Sequence, residues 1–117
     1  MAKTILIVED DESIRETMQT VLELEGHDVL TAENGHEGLK LLASEAKPCL
    51  ILLDLMMPVM NGWQFAAALE NDLKLADIPV IIVSAYSDKA INIKSKAILK
   101  KPIDLRALYN TIKQWCP

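Results

Sequence analysis

The chain reads as an α/β protein with a doubly wound, five-stranded parallel sheet. Two observations point there. Apolar runs rich in β-branched residues alternate five times with segments of helical spacing. The first, third and fourth of these runs are apolar without alternation, so both faces of each are covered. Strict alternation of strand and helix indicates parallel strands with helices on both sides, joined by right-handed crossovers.

Each element has its own local reason. "TILIVED" (4–10) is a run of leucine and β-branched residues that ends in acids. "ESIRETMQTVLELEG" (12–26) places Ile14, Met18, Val21, Leu22 and Leu24 at helical spacing and stops at Gly26. "HDVLTAE" (27–33) is a short strand, and "GHEGLKLLASEA" (35–46) is a helix with Leu39 and Leu42 on one face. "CLILLD" (49–54) is a continuous apolar strand. The alanine-rich "GWQFAAALENDLKL" (62–75) predicts a third helix, and "IPVIIVSA" (78–85) a fourth strand. "AILKKP" (97–102) contains a short fifth strand. "DLRALYNTIKQW" (104–115) is a closing helix with Asp104 as its N-cap. No repeat, low-complexity tract or linker interrupts the pattern, so one domain over residues 1–117 is expected.

Composition narrows the function classes. Half of the residues are hydrophobic and a quarter are charged, as in soluble globular proteins. A net charge of −5 argues against a nucleic-acid surface, which needs clustered Lys and Arg. It leaves a divalent cation or a basic partner open. No segment has the roughly 20 apolar residues needed to span a bilayer, and the N-terminus lacks signal-peptide character. A cytoplasmic protein with no membrane partner is therefore expected. A chain of this size is also expected to fold without a disulfide or structural metal. Cys49 and Cys116 form no CxxC pair and no zinc spacing. Cys49 reads as a small buried hydrophobe and Cys116 as part of a frayed end.

In a doubly wound sheet, ligands bind at the carboxyl ends of the strands. Strand 1 brings Glu9, Asp10 and Asp11 to that rim, strand 3 brings Asp54, strand 4 brings Ser84, and strand 5 brings Lys100, Lys101 and Pro102. Clustered carboxylates raise one another's pKa unless a cation intervenes. Hard oxygen donors suit Mg²⁺, which takes one or two carboxylates and keeps waters for a phosphate ligand. A lysine opposite the acids supplies a second positive charge, and a serine hydroxyl a hydrogen-bond donor. A carboxylate attacking phosphorus gives an acyl phosphate.

"ILIVEDDE", "LLDLMMPVMNGW", "IPVIIVSA" and "KKP" resemble, in the right order, the signature segments of response-regulator receiver domains. The resemblance covers essentially the whole chain and is most specific in the block that follows strand 3. It implies the flavodoxin-like strand order 2-1-3-4-5. It implies that Asp54 accepts a phosphoryl group from a histidine kinase or a histidine phosphotransfer protein, in a reaction that requires Mg²⁺. It also implies Asp10 as a direct metal ligand, Glu9 as a ligand through water, and the backbone carbonyl of Met56 as a third protein ligand. Ser84 becomes the switch hydroxyl and Lys101 the lysine on the phosphoryl group, with a cis peptide before Pro102. The downstream partner is a protein that the sequence does not name.

Plainer readings hold for other residues. Asp11 and Glu12 are first-turn acids that favour the helix dipole. Asn61-Gly62 is turn chemistry. His27 and His36 are surface residues. Trp63 packs near the mouth of the site, and Tyr109 and Trp115 pack on the closing helix.

The chain departs from the family between Ser84 and Lys101. The segment is shorter than the resemblance implies and lacks the usual glycine-alanine turn. The helix there is expected to be short or irregular, starting at "SDKAIN" with Ser87 or Asp88 as cap. Ile98 stands where many receivers carry an aromatic switch residue, which implies output through another or a weakened surface. Met56 and Tyr86, two positions past Asp54 and Ser84, are bulky and non-acidic, which implies slow self-dephosphorylation. Three other functions compete. An aspartyl-nucleophile phosphatase would carry D-x-D on strand 1, where "EDDES" stands. An FMN carrier needs a Ser/Thr/Gly-rich loop where this chain is acidic. A degenerate receiver that serves only as a protein-interaction module is the principal alternative.

Overall fold

The computed structural model describes residues 3–45, 47–85 and 93–117. In chain order these form β1 (Thr4–Val8), α1 (Glu12–Leu24), β2 (Asp28–Ala32), α2 (Gly35–Ser44), β3 (Leu50–Leu53), α3 (Gly62–Glu70), β4 (Val80–Ser84), β5 (Ala97–Lys100) and α4 (Leu105–Trp115). The five strands make one sheet in the order β2-β1-β3-β4-β5. All four pairings are parallel: Val8 stands beside Ala32 and Leu53, and Ser84 beside Lys100. The predicted fold and strand order are both present.

Strand side chains alternate between faces, and this divides the interior into two layers. Leu6, Val8, Ile51, Leu53, Val80 and Ile82 face Phe65, Ala66 and Leu69 of α3 and Leu42 of α2. Ile5, Ile7, Leu50, Leu52, Ile81 and Val83 face Met18 and Leu22 of α1 and Leu108 and Ile112 of α4. Unbroken apolar runs are therefore required in the three central strands. A polar residue at either parity would be buried.

The helix ends follow local chemistry. The Asp11 side chain accepts from the Ile14 N–H and caps α1. At its other end Gly26 takes φ +91, a region that a side chain disfavours. The N–H of Gly26 bonds the Glu23 carbonyl and that of His27 the Leu22 carbonyl, a Schellman closure. Asp104 caps α4 as anticipated, accepting from the N–H groups of Arg106 and Ala107. The third helix was expected to reach residue 75, but it ends at Glu70. The Asp72 carboxylate takes the Lys74 N–H, and its carbonyl takes those of Leu75 and Ala76. These local bonds replace the helical ladder. The expected helix at 87–92 lies outside the described residues, and residues 93–96 that follow are not helical.

The expectation for the cysteines is overturned. Cys49 and Cys116 form a disulfide, with Cα atoms 5.8 Å apart and a separation of 67 positions in sequence. Cys116 is not frayed but buried at 2% exposure, packed in the layer under α1 and α4. The chain topology brings the start of β3 beneath the end of α4, and no spacing rule reports that. Closing a loop of this length constrains the unfolded chain by about 4 kcal/mol on entropic grounds. Reduction is therefore expected to lower the thermal midpoint by on the order of 10 °C. Differential scanning calorimetry with and without reductant checks this, and a Cys49→Ser/Cys116→Ser protein should show no response to reductant.

Candidate functional site

The parallel register carries three strand ends to one rim. β1 ends at Val8, so Glu9 and Asp10 follow on the turn into α1. Asp54 follows β3, with its N–H bonded to the Val8 carbonyl. That bond places Asp54 beside the Glu9–Asp10 turn. On the other flank the Lys101 N–H bonds the Ser84 carbonyl, which sets the lysine at the tip of β5. The Lys101–Pro102 peptide is cis, as the resemblance implied.

The side chains converge. The Lys101 ammonium lies 2.6 Å from Glu9 Oε1 and 3.5 Å from Asp54 Oδ1. Glu9 and Asp54 are buried, at 1% and 5% exposure, whereas Asp10 is exposed. Glu9 Oε2 accepts from the Asp11 N–H at 3.1 Å, and Asp54 Oδ1 accepts from the Leu55 N–H at 2.8 Å. Carboxylate oxygens of Glu9, Asp10 and Asp54 all lie within 4.8 Å of one another. Three hard donors so close, two of them out of water, fit a small divalent cation.

One ammonium cannot neutralise three acids, and the titration behaviour follows. Burial pushes the Glu9 carboxyl from 4.5 to about 7, with the Asp54 charge adding to it against the pull of Lys101 and the Asp11 N–H. Burial also raises the Asp54 carboxyl, against Lys101, Glu9 and the Leu55 N–H. For Lys101 burial acts downward, but contact with Glu9 and Asp54 outweighs it and the net shift is upward. The lysine therefore stays charged, and the carboxyl pair carries the proton that burial favours.

Two features of the surrounding backbone were not read from the sequence. Arg15 of α1 donates from Nη1 to the carbonyl of Glu9 at 2.9 Å and that of Asp10 at 3.4 Å, tying the helix to the acidic turn. Helical spacing alone assigned Arg15 no role, because its acceptors are main-chain atoms of a turn whose shape the sequence does not specify. Gly62, read as turn chemistry, is a packing requirement: a Cβ there would strike the Asp54 carbonyl and sit 2.7 Å from Leu55 Cα. The Gly62 N–H also bonds the Leu55 carbonyl. Asn61 beside it caps α3 in a reciprocal box with Gln64.

The remaining candidates fall as follows. Ser84 is fully buried at the end of β4, one register position from the lysine. Met56 lies in the loop after Asp54 with its side chain half exposed. In the same loop Val59 takes φ 68, a strained setting for a β-branched residue. Lys100 is exposed on the edge strand, away from the ion pair. Asp11 and Glu12 are first-turn residues of α1, the former its cap. Trp63 packs against the α2/α3 layer and Trp115 against the α1/α4 layer. His36 is exposed and His27 half-buried. Ile98 is partly exposed on β5, and Tyr86 lies outside the described residues.

The chain belongs to the response regulator receiver domain family, whose model matches residues 5–113. It is 38% identical over 113 residues to protein PilH of Pseudomonas aeruginosa, covering 92% of this chain and 93% of that protein. It is 33% identical over 120 residues to the polar-differentiation response regulator DivK of Brucella anthropi, covering 98% and 97%. Among solved structures it superposes on response regulator TrrA of Thermotoga maritima, in complex with Mg(2+)-BeF, at TM-score 0.85 and 31% identity, covering 97% of this chain and 98% of that one. Such receivers are signalling regulators of two-component systems rather than classical enzymes. Among the described residues no helix is long and apolar enough to cross a membrane.

Two outcomes are expected. Gly62→Ala should destabilise the protein by about 2–3 kcal/mol, because backbone rather than a flexible side chain stands in the way; urea unfolding measures it. The pH dependence follows from Glu9. Its folded pKa, about 7, lies above the unfolded value of 4.5, so the folded state holds a proton that the unfolded state has released. Stability without divalent cation is then complete below about pH 4.5 and falls as pH rises through 7, by on the order of 2 kcal/mol. Urea titrations in chelator across this range should show the decline, and Glu9→Gln should flatten it.

Proposed function

We propose that this chain is a phosphoacceptor switch. On this reading Asp54 takes a phosphoryl group from a histidine kinase or histidine phosphotransfer protein, in a Mg²⁺-dependent reaction, and the change of state is signalled by conformational change to a downstream protein. The observation that carries it is the Lys101 ammonium set between two buried carboxylates, Glu9 and Asp54, with Asp10 closing an oxygen cluster. The Mg²⁺-bound state of the similar TrrA structure supports the same reading.

The chemistry runs through this chain's own groups. An Asp54 oxygen forms a bond to phosphorus as the bond from the donor histidine to phosphorus breaks, and the electron pair returns to the imidazole. Lys101, already 3.5 Å from Asp54, meets the negative oxygens of the arriving group. Its charge and the Leu55 N–H offset part of the upward push that burial exerts on the Asp54 carboxyl. Ser84 supplies a hydroxyl to a phosphoryl oxygen. Asp10 would hold Mg²⁺ directly, with Asp54 and the Met56 carbonyl, and Glu9 would reach it through water. The ion, when bound, neutralises charge on the phosphoryl oxygens during transfer. The domain so defined spans residues 1–117 and works in the cytoplasm without contacting nucleic acid or membrane.

Incubation with acetyl phosphate and Mg²⁺ should add one phosphoryl group by intact mass, and chelator or Asp54→Asn should abolish the gain. No gain in the native protein would favour the degenerate receiver, a protein-interaction module alone.

A further inference from the structure

The end of the sheet opposite the acid cluster carries a second constellation that phosphoryl transfer does not use. A cavity of about 320 Å³ opens there, walled by Lys3, Glu25, His27, Tyr109, Lys113 and the disulfide-bonded Cys116, among others. Lys3 and Lys113 bring two ammoniums to it, beside the Glu25 carboxylate and the terminal Pro117, and Lys113 is held over the Tyr109 ring at 5.2 Å. Cys116 is 2% exposed and lines this cavity. Its partner Cys49 is half-buried at the entrance to β3.

We propose that the Cys49–Cys116 disulfide is a reversible redox site that exchanges with a small acidic thiol entering through this cavity. The thiolate sulfur bonds to Sγ of Cys116, and the electron pair of the old sulfur–sulfur bond leaves on Cys49 as a thiolate. A second thiolate then attacks the small-molecule sulfur of the mixed disulfide and releases the Cys116 thiolate. Two electrons pass to the chain, the two small thiols leave as one disulfide, and the two protons they shed are matched by the two cysteines. An oxidised small disulfide runs the sequence backwards. Reduction keeps both cysteine side chains in the α1/α4 layer and removes only the bond between them, so the reduced chain stays folded and the cycle closes. The crosslink also ties the helix that follows Lys101 to the strand that precedes Asp54, so redox state acts on the support of both residues.

The test compares an anionic with a neutral thiol. Reduction of the native chain by glutathione and by 2-mercaptoethanol is followed by thiol trapping and mass spectrometry, beside a Lys3→Glu/Lys113→Glu protein. The charge-reversed protein should lose several-fold in glutathione rate relative to 2-mercaptoethanol, and added salt should shrink the difference. Oxidised glutathione should restore the disulfide in the native chain, and in Cys49→Ser it should leave glutathione on Cys116. An unchanged rate ratio, failure of the native chain to form the disulfide in oxidised glutathione, or loss of the native circular dichroism on reduction would each overturn the proposal.

Discussion

The contact of the Lys101 ammonium with Glu9 and Asp54 is the constraint on which this molecule turns. Two carboxylates at 1% and 5% exposure are costly to hold ionised, and a single cation at 2.6 and 3.5 Å offsets only part of that cost. The deficit is what makes the site reactive toward cations: any further positive charge placed among the three acids is favoured. Without the lysine, burial would raise the Glu9 and Asp54 carboxyls further. One without the acids would hold no reason to bury the lysine stem.

Meeting that constraint governs the rest of the fold. The acids and the lysine arrive on three separate strands, so the register must be exact to one residue, since a slip turns every side chain to the opposite face. Both parities of β1, β3 and β4 are buried in the two apolar layers, so side-chain shape rather than polarity holds that register. The loops are then shaped by main-chain contacts: Gly62 lets the chain pass against the Asp54 carbonyl, and Arg15 fastens the acidic turn by its carbonyl oxygens. The strain at Val59 sits in this same stretch, where loop geometry serves the site rather than local preference.

The far end of the sheet is organised differently. There a covalent bond between Cys49 and Cys116 does what registration does at the rim, fixing the last helix against the central strand. The two ends are connected by β3 and by α4. Electrostatics at one end and cysteine chemistry at the other thus bear on the same two elements.

The division between what could be read and what could not is a division between local and non-local causes. The run "LILL", the stop at Gly26, the cap at Asp104 and the acids at the tips of β1 and β3 are properties of neighbouring residues, so the strand and helix order, the double winding and the candidate carboxylates were legible directly. The early end of α3 was missed because Asp72 satisfies backbone groups in a way that alanine-rich periodicity hides. The disulfide, the role of Arg15 and the packing demand at Gly62 depend on which distant segments the topology lays side by side. Sequence by itself determined which groups would stand at each strand tip. Only tertiary packing decided that Glu9, and not Asp54 alone, would hold the lysine, and that two cysteines 67 positions apart would meet, because burial and through-space distance exist only once the sheet has closed.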